Sequence, residues 1–144
     1  MTAAAQDRKE NTMAQKITRG IKKMLAEANA VIKTIPVEEA KALVGSDDHV
    51  IVDIRDIREV KREGKIPGAF SCPRGMLEFW IDPESPYHKE IFTQDKTYVF
   101  YCAGALRSAL ATQVAQEMGL NPVAHIEGGF ALWKKSGGQI ETIG

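Results

Sequence analysis

Apolar and polar positions change rhythm along the chain, and the rhythm predicts its elements. Met13, Ile17, Ile21, Met24, Leu25, Ala28 and Val31 recur at three- and four-residue spacing. That period gathers them on one face of a helix, with Lys16, Arg19, Lys22 and Lys23 largely off it, and Gly20 weakens the helix slightly. The expected role of this helix is to dock on the main domain or to form a dimer contact.

From residue 32 short β-branched runs alternate with helical spacing. Val31 to Ile35 is a short apolar run closed by Pro36, and Val37 to Val44 has helical spacing up to Gly45. Val50 to Asp53 reads as a buried strand, Asp56 to Arg62 as a short helix ending at Gly64, and Ala69 to Cys72 as another strand closed by Pro73. Residues 75–92 are irregular, with helical turns around Met76–Ile81 and Tyr87–Phe92. Thr97 to Tyr101 is the clearest strand, Ser108 to Met118 a strong helix closed by Gly119, Val123 to Ile126 a strand and Phe130 to Lys135 a last helix before Gly137-Gly138. Such alternation predicts an α/β fold with a mainly parallel sheet and helices on both faces.

Charge adds a boundary. Residues 1–33 hold seven basic and three acidic groups, net +4, and the remainder holds twelve basic and sixteen acidic, net −4. Residues 1–31 are therefore read as a basic N-terminal extension and 32–144 as the main domain. The 144 residues are 44% hydrophobic and 26% charged, which excludes a disordered chain or a coiled-coil rod. Nineteen basic groups balance nineteen acidic ones, so a nucleic-acid partner is not expected. No apolar run reaches the ~18 residues of a membrane span, and the first residues lack the apolar region of a secretory signal. Cys72 and Cys102 lie far apart, which suits reduced thiols in the cytoplasm rather than a disulfide scaffold. His49, His88 and His125 show no ligand spacing, so a metal site has no support.

In folds of this class ligands sit at the carboxyl ends of the strands. Cys102 follows the best strand there, and the linking segment is Cys102-Ala103-Gly104-Ala105-Leu106-Arg107-Ser108. A short loop curling into a helix turns backbone N–H groups inward as an anion cradle, and small residues let it close around a ligand. The N–H dipoles and the charge of Arg107 both favour a thiolate, the nucleophilic form of cysteine.

Cys102 to Arg107, after an apolar strand and before a helix, resembles the active-site loop of single-domain rhodaneses. Three further segments resemble that family in its order: Asp53-Ile54-Arg55-Asp56 with Glu59, Gly64-Lys65-Ile66-Pro67-Gly68-Ala69, and Glu127-Gly128-Gly129-Phe130 followed by Trp133. The resemblance covers about residues 32–141. It implies a rhodanese-like three-layer fold with a mostly parallel sheet of about five strands flanked by helices. It also implies transfer of a sulfane sulfur through a Cys102 persulfide, without a metal or organic cofactor. Thiosulfate or a persulfide would be the donor and a thiophilic small molecule or cellular thiol the acceptor. Ala103, Gly104, Ala105, Leu106 and Arg107 would hold the substrate.

The alternatives on the same fold are a phosphatase or an arsenate reductase, whose loops have five residues between Cys and Arg. Here there are four, and the fifth step reaches Ser108. A non-catalytic binding module is a further alternative, against which the presence of Cys102 and Arg107 weighs. Two departures from the family stand out. Lys65 replaces a customary His, and Arg107 is the only charged loop residue. A dianion such as thiosulfate calls for more than one cation, so an apolar loop suits a persulfide donor better.

Asp53 and Arg55 are expected to bond neighbouring loops rather than take part in chemistry. Gly128 and Gly129 are expected to permit a tight strand-to-helix turn, with Trp133 in the core. Arg58 and Arg74 are read as surface charges, and Cys72 as a core thiol or, alternatively, a thiol resolving the persulfide as a disulfide. The basic N-terminal helix is a candidate dock for a protein that gives or takes sulfur.

Overall fold

The computed structural model describes residues 15–143. Its elements are α1 (Ile21–Val31), β1 (Thr34–Ile35), α2 (Val37–Lys41), β2 (His49–Asp53), α3 (Ile57–Glu63), β3 (Phe70–Ser71), α4 (Leu77–Ile81), β4 (Thr97–Tyr101), α5 (Leu106–Met118), β5 (Val123–Ile126) and α6 (Gly129–Lys135). The strands form one five-stranded sheet in the order β1-β5-β4-β2-β3, with every pairing parallel. β4 is therefore the central strand.

Strand alternation divides the core into two layers. Val50, Val52, Tyr98, Phe100 and Cys102 face one side, where Leu77 and Ile81 of α4 and Ala111 and Ala115 of α5 cover them. Ile51, Val99, Tyr101, Ala124 and Ile126 face the other, against Val37 and Ala40 of α2 and Phe130 and Trp133 of α6. This is the three-layer α/β architecture that the periodicity implies.

The N-terminal helix is shorter than its apolar spacing suggests. It begins at Ile21, with Gly20 in an extended conformation at its start, and residues 15–20 are not helical. A glycine costs roughly 1 kcal/mol inside a helix, so it serves better as the boundary. Met13 lies outside the described residues. The helix docks on α5, where the Gln116 side chain donates to the Val31 carbonyl at 2.9 Å. Only Ala28 is fully buried, Met24 and Leu25 are half-buried, and Ile17, Ile21 and Val31 are exposed. Among the described residues, no helix is long and apolar enough to cross a membrane.

The remaining differences lie at helix ends. α2 stops at Lys41, and turns carry the chain to Gly45, which has a left-handed φ of 81°. α5 starts at Leu106, two residues before Ser108, so Arg107 belongs to its first turn rather than to the loop.

Candidate active site

The carboxyl end of β4 is built on a buried ion pair. Asp53 ends β2 directly beside Tyr101, the last residue of β4. Asp53 and Arg55 are both fully buried, and the Arg55 guanidinium donates to both Asp53 oxygens, at 2.9 and 2.7 Å. Arg55 also donates to the Gly64 carbonyl at 2.7 Å, and its guanidinium lies 4.3 Å from the Phe130 ring centroid. Tyr101 donates its hydroxyl proton to Asp53 at 2.7 Å and accepts from the Ile66 N–H at 3.1 Å. Four elements are thereby pinned beneath the Cys102 loop, which is the structural part expected of Asp53 and Arg55.

Above this base the loop is short. Cys102 is 1% exposed, and its Sγ accepts the backbone N–H of Ser108 at 3.3 Å. The Ser108 hydroxyl lies 3.5 Å from Sγ. α5 thus aims one amide at the sulfur and offers one hydroxyl oxygen as an acceptor for its proton. The sharp turn is made by Ala105, whose φ of 70° is left-handed, and not by Gly104. A β-carbon on Gly104 would meet open space. Of the three small residues expected to let the backbone close, Ala103, Gly104 and Ala105, it is Ala105 that makes the turn, at a strain of roughly 1–2 kcal/mol.

The second glycine of the Gly128-Gly129 pair does more than turn the chain. Its neighbours Phe130 and Ala131 donate N–H groups to the carbonyls of Cys102 and Ala103, at 2.8 and 3.0 Å. A β-carbon on Gly129 would lie 2.6 Å from the Cys102 oxygen and 2.7 Å from the Ala103 oxygen, and its φ of 62° is left-handed. Gly129→Ala is expected to destabilise the protein by about 2–4 kcal/mol and to displace the loop, because the clash is with backbone. Chemical denaturation together with the alkylation rate of Cys102 checks both effects.

Arg107 does not stand free beside the sulfur. Its two terminal nitrogens donate to the two carboxylate oxygens of Glu59, each at 2.9 Å. The Arg107 guanidinium holds the Glu59 carboxyl below its ordinary range, and Glu59 in turn raises the arginine. Glu59 also accepts the Asp56 N–H at 3.1 Å in a capping box at the start of α3. The Glu59 pairing was not foreseen from spacing, although the glutamate stands in one of the recognised segments.

Cys72 sits beyond reach. Ser71 and Tyr101 both stand in register with Asp53, on opposite sides of β2. Cys72 and Cys102 are thus two strand spacings apart, about 9.6 Å, whereas a disulfide needs Cα atoms within ~7 Å. Burial also pushes the Cys72 thiol up to about 12. Of the two readings of Cys72, a core thiol or a thiol resolving the persulfide, its full burial and this spacing favour the core thiol.

Lys65 donates to the Ala69 carbonyl at 2.9 Å and bridges Glu141 through its backbone, a structural role. Arg58 and Arg74 pair with Asp56 and Glu78. The reading of spacing missed His125. Its Nδ1 lies 2.9 Å from the Ser108 hydroxyl, so it stands directly behind the cysteine. The available signal was a polar residue in an otherwise apolar, buried strand.

Comparison with known proteins identifies the family. The rhodanese-like domain family model matches residues 36–136. A mouse protein named thiosulfate sulfurtransferase/rhodanese-like domain-containing protein 3 is 30% identical over 106 residues, covering 70% of this chain and 68% of its own. A Rhodopseudomonas palustris structure, of a protein of unknown function called a possible tyrosine phosphatase, is 67% identical with a TM-score of 0.86, covering 88% of this chain and 98% of its own. A thiosulfate sulfurtransferase from Pseudomonas aeruginosa is 30% identical with a TM-score of 0.69, matching 83% of this chain but 22% of its own length. The chain belongs to the rhodanese-like domain family.

Proposed function

We propose that the protein is a sulfurtransferase that carries a sulfane sulfur as a persulfide on Cys102. The observation that carries this reading is the position of the sulfur: at the end of the central strand, facing the Ser108 N–H, with four residues before Arg107. The Cys102 thiolate attacks the outer sulfur of the donor. A sulfur–sulfur bond forms to Cys102 as the donor's own sulfur–sulfur bond breaks, and its electron pair leaves with sulfite or a thiolate. An acceptor thiolate then attacks the outer persulfide sulfur and releases Cys102 as a thiolate. This is covalent catalysis, with the Ser108 N–H as a backbone donor to the sulfur. A reducing compartment such as the cytoplasm supplies the thiols.

The Glu59 pair narrows the donor. Arg107 is the one cation between Cys102 and Ser108, and a bidentate carboxylate already neutralises it. The Cys102 loop is therefore suited to a persulfide more than to the thiosulfate dianion. Glu59→Gln keeps an acceptor for the capping box but releases the charge of Arg107. It is expected to raise kcat/KM for thiosulfate about fivefold relative to a small persulfide, the upper range for a half-exposed pair. An unchanged donor ratio would show that Arg107 does not set donor choice.

A phosphatase is the second reading, raised by the name of the Rhodopseudomonas relative. Ser108 weighs against it. It occupies the position where a phosphatase loop would need its arginine, and its hydroxyl is buried against Cys102 and His125. Parallel assays with an aryl phosphate and a small persulfide separate the two readings.

A further inference from the structure

One imidazole is buried behind the cysteine without a charged partner. His125 lies on β5, in register with Thr34 of β1 and Phe100 of β4. Its Nε2 is 3.1 Å from the Thr34 hydroxyl, and its Nδ1 is 2.9 Å from the Ser108 hydroxyl. Ser108 Oγ is in turn 3.5 Å from Cys102 Sγ. Four side chains from the Cys102 loop, α5, β5 and β1 form one unbroken line of exchangeable protons. One end is the buried sulfur, and the other, Thr34, is exposed to solvent.

We propose that Ser108, His125 and Thr34 are a reversible relay that passes the Cys102 proton to solvent and turns a hydroxyl donor onto the resulting thiolate. The proposal rests on Cys102 as the nucleophile, and it makes His125 a positioning residue acting through Ser108. In the thiol state Sγ–H donates to Ser108 Oγ, Ser108 Oγ–H to Nδ1, and Nε2–H to Thr34. Ionisation moves each proton one place along. Water takes the Thr34 proton, Thr34 takes the Nε2 proton, Nδ1 takes the Ser108 proton, and Ser108 takes the thiol proton. The sulfur keeps the electron pair of its S–H bond, and nothing is oxidised or reduced. Ser108 Oγ–H then points at the thiolate beside the Ser108 N–H.

The imidazole exchanges tautomers and stays neutral throughout. That requirement is met, because burial pulls its pKa down and no charged neighbour offsets the burial. Thr34 faces the ring from β1, Phe100 adjoins it from β4, and the buried polar groups of α5 are Ser108 and Thr112. None of these is charged, and Arg107 is turned to Glu59. Cys102, one hydroxyl away, is the titratable group in reach.

The test is nitrogen NMR of the His125 ring in the full chain as Cys102 is titrated, with thiolate ultraviolet absorbance as the reference. In the wild type the protonated nitrogen is expected to change from Nε2 to Nδ1 in step with thiolate formation. In Cys102→Ala, and in Ser108→Ala, the tautomer is expected to stay fixed across the same range. Ser108→Ala is also expected to slow Cys102 alkylation near neutral pH about tenfold, the worth of one hydrogen bond to a charged group. A wild-type tautomer that ignores the thiol, or an imidazole that becomes cationic with it, overturns the relay. No sulfur donor enters these measurements, so their failure is separate from failure of the sulfurtransferase reading.

Discussion

Replacing Cys102 with serine is expected to abolish sulfur transfer while leaving the fold intact. Cys102 is 1% exposed and belongs to the same core layer as Val52, Ile54 and Phe100, beneath α5. Serine fits that space, and Ser108 can donate to the new oxygen as it does to Sγ. The stability change should therefore stay within about 1–2 kcal/mol, the range for a buried polar group that keeps a partner. The chemical change is categorical. A serine hydroxyl has no accessible anion at neutral pH and forms no persulfide. Turnover with any sulfane-sulfur donor should fall to the background rate of the two thiols in solution, while the melting curve stays cooperative. Residual turnover above background in a folded Cys102→Ser protein would place the sulfur elsewhere.

Asp53→Ala is expected to act in the opposite way, on stability before chemistry. The carboxylate and the Arg55 guanidinium are both fully buried, so removal of Asp53 strands a buried cation. It also removes the acceptor of the Tyr101 hydroxyl, and Arg55 already has one nitrogen without a hydrogen-bond partner. Breaking a buried pair from one side costs about 3–5 kcal/mol. For a chain of this size that is a drop on the order of 10 °C in melting temperature. Because this cluster fastens β2, β4, Gly64 and Phe130 together, Cys102 alkylation should also lose its site-specific rate. A double replacement by Asp53→Leu and Arg55→Met should recover part of the loss, since a buried pair replaced by apolar groups is often neutral. Equilibrium denaturation of the two variants beside the wild type checks the sign and the size.

How much of this was legible in the sequence depends on the distance over which each feature is made. The strands at 97–101 and 123–126 are local patterns of β-branched and aromatic residues, and they stand where the pattern puts them. Cys102 follows from the same local reading. The start of α5 does not. It depends on Ala105 adopting a left-handed conformation that composition gives no reason to expect of alanine. Gly129 shows the same limit. Its turn is readable, but its closeness to the Ala103 and Cys102 carbonyls is made by chain 26 and 27 residues away.

The pairings of the site are longer still. Glu59 meets Arg107 across 48 residues, as Tyr101 meets Asp53, and Thr34 meets His125 across 91. Sheet register makes the last two contacts, and no spacing rule contains it. The extent of α1 was misread for a different reason. Its apolar period runs through Ile17, but a helix forms where its face finds a partner, and α5 supplies one only to the later turns.

The central claim is a persulfide on Cys102, and intact mass reads it directly. Wild type and Cys102→Ser are incubated with a small persulfide and, separately, with thiosulfate, then desalted and weighed. Wild type should gain one sulfur atom, more completely from the persulfide, and lose it to cyanide, with fragmentation placing the sulfur on Cys102; Cys102→Ser should gain none. A wild-type protein that gains no sulfur from either donor, or gains it equally in the variant, would contradict the claim.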